Sequence, residues 1–395
     1  MVGLLQQRGF DIRVRLFYWG EPTEGVTYQF LSASGIPFSS CQFVDTETNV
    51  LWLLKEFAAS APDVVIADSV VPALFAAEYL KDARIPVVAI LRSDDAFYHG
   101  VMDYFVHGPR RRRVSAAVSV SRFLDQCVRA SQCNDVRTAV IPSGTPVCEV
   151  PDHRSYRPFR VAYVGRLVQE QKRILETVSA LTRICLEIPE VEATVFGDGP
   201  ESCNVADIVK ATNSPVKLAG RVEPSEIQKQ LLSHHVIVLL SDYEGTPTAL
   251  LEAMACGVVP VCLQMRSGIP ELVQHGITGL IVEDRGDGLV SAIRGLVGNQ
   301  VYWRQLSQAA RTKVAIEYSS ERCADLWAAL LQSLSINSES RRSVRIPPTL
   351  TLPSVHPALA REDYRKAKRS WLKDLLIKAK GRALQLKCGL SKINK

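Results

Sequence analysis

Apolar residues along the chain are gathered into short, nearly continuous runs separated by longer stretches of mixed polarity, a pattern that predicts parallel strands joined by helices. In the first 150 residues the expected strands are Ile12–Phe17, Val64–Ala67, Val87–Leu91, Val114–Val120 and Thr138–Pro142, half of a doubly wound α/β fold. A polar, proline-bounded break runs from Val150 to Pro158. A second series opens with Phe159–Val164 and continues with Glu192–Phe196, Val216–Leu218, Val236–Leu240, Val258–Leu263 and Gly279–Val282. Helices are expected among them at Ile174–Glu187, Pro224–Ser233 and Pro247–Cys256, then at Gly288–Val297, Val301–Glu317 and Glu321–Leu334. Tyr318-Ser319-Ser320 would cap the last of these. Ile336–Ala360, rich in proline, serine and arginine, reads as a flexible linker. The expected organisation is therefore an α/β domain over residues 1–155, a second over 156–335, a linker over 336–360 and an extension over 361–395.

A chain of 395 residues with 47% apolar composition can bury two cores of ordinary size. No run approaches the length of a membrane-spanning helix, since Val64–Leu80 is interrupted by Asp68, Pro72 and Glu78. The opening MVGLLQQRGFDIRVRLF lacks the layout of a secretion signal, so a cytoplasmic location is expected. Ten cysteines, among them Cys41, Cys127, Cys185, Cys256 and Cys388, include no Cys-x-x-Cys pair, which points to reduced thiols rather than a zinc site or disulfide scaffold.

The net charge of +6 is unevenly placed. Residues 361–395 hold twelve lysines and arginines against three acidic residues, leaving the preceding part net acidic. From Trp371 the residues Leu372, Leu375, Leu376, Ala379, Ala383 and Leu386 recur at helical spacing, so this tail reads as a basic amphipathic helix. An anionic membrane surface is one expected partner, with peripheral attachment at the inner face; a docked or solvated tail is the alternative, because Gly381 interrupts the stripe. Nucleic acid is not expected, since no recognition motif accompanies the charge.

The candidate chemistry lies at four successive strand ends of the second domain. Phe159–Val164 is followed by Gly165-Arg166-Leu167 and, further on, Lys172. Glycine lets backbone approach a ligand, and the two cations can meet a diphosphate by a forked contact and a point charge. The next ends carry Phe196-Gly197-Asp198-Gly199 and Gly220-Arg221. The fourth reads SDYEGTPTALLEAMACG from Ser241, placing Glu244 and Glu252 on either side of a Gly-Thr-Pro turn that opens a helix. Open α/β sheets hold ligands at the carboxyl ends of their strands, so this rim suits one elongated, anionic, hydroxyl-rich ligand.

These motifs, with Gly268-Ile269-Pro270-Glu271 and Gly276-Ile277-Thr278-Gly279-Leu280, resemble the retaining glycosyltransferases of family 4 (glycosyl transferase group 1). The match is specific over about residues 140 to 334 and looser before, where Val118-Ser119-Val120-Ser121 and Val140-Ile141-Pro142-Ser143-Gly144 lie at the expected places. The resemblance implies a GT-B fold, two Rossmann-like α/β domains facing across a cleft. It implies no cofactor, a UDP- or GDP-linked sugar donor, and a glycan or lipid-linked hydroxyl acceptor. Arg166 and Lys172 would hold the diphosphate and neutralise the leaving group. Glu252 would accept hydrogen bonds from the ribose diol, and Glu244 would contact the donor sugar. Backbone N–H groups from Gly245 through Thr246, Thr248 and Ala249 would bind sugar or phosphate oxygens, with Gly165, Gly197 and Arg221 completing the wall. No metal is expected, because the chain lacks the Asp-x-Asp motif of metal-dependent enzymes; Asp94-Asp95 has no central residue.

The first domain departs from the family pattern. Family members begin with a strand and a Gly-Gly loop before a helix, whereas this chain opens at Leu4-Leu5-Gln6-Gln7-Arg8-Gly9-Phe10, matching the end of that helix, so the strand and loop are expected to be missing. The family's first-domain histidine is also not at its place in Leu91–His99; Asp94, Asp95 and His99 are the acceptor-side candidates, Asp94 the catalytic one. Arg110–Arg113 reads either as a site for a phosphate-bearing acceptor or membrane, or as a solvated loop. Two other functions remain open: a non-catalytic sugar-nucleotide-binding or scaffolding relative, and a nucleotide-sugar epimerase, against which the Glu244–Glu252 pattern stands.

Overall fold

The structure is a computed structural model that describes residues 1–130, 135–150, 155–265, 267–335, 340–361 and 363–364. The first domain holds strands β1 (Val14–Tyr18), β2 (Phe38–Gln42), β3 (Val65–Ala67), β4 (Val87–Leu91), β5 (Ala116–Ser119) and β6 (Arg137–Val140). The second holds β7 (Phe159–Val164), β8 (Val191–Phe196), β9 (Lys217–Gly220), β10 (Val236–Leu239), β11 (Val259–Leu263) and β12 (Leu280–Val282). The apolar runs thus mark the strands, to within a few residues at the ends. β2 escaped the pattern: Phe38-Ser39-Ser40-Cys41-Gln42 is mostly polar, and the strand is only half-buried beside β1.

The first-domain strands form two parallel sheets, β1-β2 and β3-β4-β5-β6, not one continuous sheet. The second domain is one parallel sheet in the order β12-β11-β10-β7-β8-β9. Chain progression reverses between β7 and β10, so their carboxyl ends form a topological switch point, where such sheets bind ligands. The β10 run Val236–Leu239 is wholly buried, as a central strand covered on both faces must be. Helix Ile174–Glu187 runs as the apolar spacing predicts, with Ile174, Val178, Leu181 and Ile184 buried on one face.

Two expectations about the carboxyl-terminal region need correction. The helix Ser320–Leu334, capped as expected by Ser319, does not pack on the second domain's core. Its Trp327, Ala328, Leu330 and Leu331 share a cluster with Val88, Ile90, Ala116 and Val118, so the chain crosses back to the first domain. Of the segment expected to be a flexible linker, the described residues 340–360 form a packed strap. Val344 and Leu359 are buried in the first-domain core, and Leu350 and Leu352 lie against it. Further on, Thr46 Oγ1 donates to the buried Asp363 at 2.8 Å, and the Tyr364 ring lies 4.9 Å from Trp19 and 5.2 Å from Phe43. Prolines and serines hid this, because the anchoring apolar residues are widely spaced and follow no helical or strand period. Apart from Arg361, Asp363 and Tyr364, the expected basic tail lies outside the described residues. No described helix is long and apolar enough to cross a membrane.

Candidate active site

Three neighbouring glycine loops build the floor of the switch point. Gly197 has φ +138°, and a Cβ there would stand 1.9 Å from the carbonyl oxygen of Gly165. The loops after β7 and β8 therefore touch through bare backbone, which no side chain at Gly197 would allow. Tyr163, buried in β7, donates its hydroxyl to the Arg166 carbonyl at 3.0 Å and so fixes the turn that carries the arginine. Burial raises the Tyr163 phenol above its ordinary range, keeping it a donor.

Above these loops lies a cavity of about 370 Å³. It is lined by Gly165, Arg166, Gly197, Asp198, Arg221, Thr248 and Glu252, all at strand ends or on the helix Thr248–Ala255. Val222, Pro224 and Ile227 form an apolar wall that the motifs did not reveal. An apolar residue in a loop carries no signal of its own; only the fold turns it toward a ligand. The Arg166 guanidinium is exposed and makes no hydrogen bond or ion pair among the described residues. Glu252 is likewise without a side-chain partner, and burial alone pushes its carboxyl up to about 7. Pro247 caps its helix from the residue before the first helical position, where it was expected to sit. The first intrahelical bond runs from Leu250 N to the Pro247 carbonyl at 3.1 Å, so the Thr248 and Ala249 N–H groups lie at the positive end of the helix.

Lys172 and Glu244 do not line the cavity; they form a largely buried ion pair beside it. The pair is held by two stitched loops. Asp242 N donates to the Gln171 carbonyl and Gln171 Nε2 to the Tyr243 carbonyl, both at 3.0 Å, while Arg173 and Arg285 converge on Asp242. Gln171 and Asp242 were not singled out from sequence, because their partners lie about seventy residues away.

Gly245 and Thr246 have a different place from the one expected. A Cβ on Gly245 would stand 1.9 Å from the Arg92 carbonyl oxygen, and Thr246 Oγ1 donates to the Val120 carbonyl at 2.7 Å. These residues join the two domains at the ends of β4 and β5. Glu271 reinforces the joint, its carboxylate accepting from the backbone N–H of Arg122 at 2.9 Å and Phe123 at 2.8 Å, at the start of the first-domain helix Arg122–Arg129. Ala249 packs against a second-domain core cluster.

On the first-domain side Asp94 is 2.7 Å from His99 Nε2, and Asp95 caps the helix Ala96–Val101. Arg92 is paired in a fork with Asp68, both contacts at 2.7 Å. The arginine run is tied to its own domain: Arg110 and Arg113 pair with Asp135, Arg111 with Glu78, and Arg112 lies 4.3 Å over the Tyr104 ring.

The architecture is the GT-B fold, and comparison with known proteins agrees with it. A structure of Anabaena Alr3699/HepE in complex with UDP and glucose superposes with a TM-score of 0.68 at 18% identity, covering 84% of this chain and 95% of that one. The sucrose-phosphate synthase of Thermosynechococcus elongatus gives 0.58 at 17% identity, covering 82% and 98%. Residues 158–299 match the family model "Glycosyl transferases group 1". Among curated proteins, N-acetyl-alpha-D-glucosaminyl L-malate synthase of Bacillus anthracis is 32% identical over 154 residues, 38% of this chain and 39% of its own length. The amylovoran biosynthesis glycosyltransferase AmsK of Erwinia amylovora is 29% identical over 189 residues, 46% of each chain. The chain thus spans less than half the length of these curated relatives.

Proposed function

We propose that this chain is a family 4 glycosyltransferase that moves a sugar from a nucleoside-diphosphate sugar to a hydroxyl acceptor, with retention, in the assembly of a glycan, glycolipid or cell-surface polysaccharide. The observation that carries the reading is the cavity at the β7/β10 switch point, lined by both Arg166 and the half-buried Glu252, neither of which has a side-chain partner among the described residues. A nucleoside fits this arrangement. Its ribose diol offers two donors to Glu252, its base meets the Val222, Pro224 and Ile227 wall, and its diphosphate reaches Arg166.

In this structure Lys172 is held by Glu244. A donor diphosphate competes for that ammonium, and the Glu244 carboxylate is then released to accept from the sugar hydroxyls. Both cations would stabilise the charge that builds on the departing diphosphate as the glycosyl group takes on oxocarbenium character. In this reading the cations need no metal ion to supplement them. Structural relatives solved in complex with UDP and a sugar support a nucleotide-sugar donor.

Titration of UDP and GDP into the full chain, Glu252→Ala and Arg166→Ala tests the reading. One nucleotide is expected to bind the wild type, and each substitution to weaken it by about tenfold or more, the loss of a charged hydrogen-bond partner. Undiminished binding in both variants would place the site elsewhere. A second reading, sugar-nucleotide binding without transfer, is favoured by the divided first-domain sheet. Release of nucleoside diphosphate from the bound donor separates the two.

A further inference from the structure

Cys148 and Cys256 are 108 residues apart, yet their sulfurs stand 3.4 Å from each other. Cys148 lies on the crossing from the first to the second domain, between β6 and β7; Cys256 is the carboxyl-terminal cap of the helix Thr248–Ala255, which carries Glu252. We propose that these two thiols form a reversible disulfide that fastens the interdomain crossing to the helix of the candidate donor site.

The surroundings hold both sulfurs in place. Arg311 donates to the Cys148 carbonyl at 3.0 Å, and Gln228 Nε2 donates to the Pro146 carbonyl at 2.8 Å. The Cys256 thiol points to the Gln228 carbonyl at 3.5 Å, so the same glutamine ties both partners. Closing a disulfide takes the sulfurs from van der Waals contact to about 2 Å, a movement of side-chain scale. Cys256 is buried whereas Cys148 is half-buried, which assigns the order of events. The Cys148 thiolate attacks a small-molecule disulfide, forming a mixed disulfide and expelling one thiol. The Cys256 thiolate then attacks the Cys148 sulfur and expels the second thiol. Two electrons pass from the cysteine pair to the small disulfide, and the two cysteine protons end on the two small thiols.

The bridge bears on the cleft through its position. Next to Cys148, Thr145 is bonded across to the start of the Ser320–Leu334 helix, with Thr145 N donating to the Tyr318 carbonyl and Ser320 N to the Thr145 carbonyl. Both crossings between the domains therefore meet beside the cysteine pair, and a covalent tie there restrains their relative rotation.

The test equilibrates the full chain with oxidised or reduced glutathione, alkylates the remaining thiols and maps peptides by mass spectrometry. A Cys148–Cys256 link is expected in the oxidised sample, absent after reduction and absent in Cys148→Ser. Glutathione retained on Cys148 without the link, or a bridge between other cysteines, would overturn the proposal. Hydrogen exchange reads the restraint: amides of residues 92–95 and 245–246, at the domain joint, are expected to exchange several-fold more slowly in the bridged chain. Equal exchange in bridged and reduced protein would overturn the link to domain motion.

Discussion

Glu252 is a carboxyl whose chemistry is changed by burial. Its carboxyl is raised from 4.5 to about 7 by burial, with no cation to compensate. Between those values the folded chain keeps a proton that the unfolded chain has released, so stability falls as pH rises through this window and levels off above about 7. Glu252→Gln keeps the shape and removes the titration. Denaturant midpoints measured from pH 5 to 8 are expected to fall less steeply for this variant than for wild type, and parallel curves would mean that the carboxyl ionises freely in the fold. Arg166 and Glu252 were legible in the sequence because each follows an apolar strand at a fixed offset. Glu271 was visible only as part of a motif, since the helix it caps lies 149 residues earlier.

At the scale of elements, the domain joint is made by loops rather than by a broad apolar face. Gly245 against Arg92, Thr246 on Val120 and Glu271 on the Arg122–Arg129 helix are among its contacts at the candidate site. The Glu271 carboxylate acts as a helix cap supplied by the other domain, and its loss is expected to cost ~1 kcal/mol, the usual worth of a cap. In Glu271→Ala, small-angle scattering of the nucleotide-free chain should report a larger radius of gyration, with Glu271→Gln between it and wild type. An unchanged radius in Glu271→Ala would show that the other contacts hold the domains alone. The helices and strands on either side of this joint were readable from periodicity, but the joint was not. Its contacts use a glycine, a threonine hydroxyl and a carboxylate, none of which marks an interface by itself.

At the scale of the molecule, the chain crosses between domains twice, and its last described residues, Asp363 and Tyr364, lie on the first. The strap over residues 340–361 completes the first-domain core with Leu359, which is fully buried, and it abuts the helix Ala96–Val101: a Cβ on Gly100 would come within 2.8 Å of the Ala358 Cβ. Leu359→Ala is expected to destabilise the first domain by ~3 kcal/mol, as leucine truncation in a packed core does. Hydrogen exchange should then accelerate in the Ala96–Val101 helix and stay unchanged in Thr248–Ala255. Acceleration in both would mean that the domains unfold as one unit. Local pattern could not show the strap, because its partners come from residues near 46 and 100 that only the finished topology gathers.

The divided sheet of the first domain has its own consequence. A single open sheet has two edges, whereas β1-β2 and β3-β4-β5-β6 together have four, each with a row of backbone groups lacking a strand neighbour. Such rows are templates for pairing with another chain, and β3 even shows a part-exposed isoleucine, Ile66, beside its open edge. The second domain, with one sheet of six strands, carries half as many. On refolding from denaturant, the first domain is therefore where chains at high concentration would join to one another before they close on themselves.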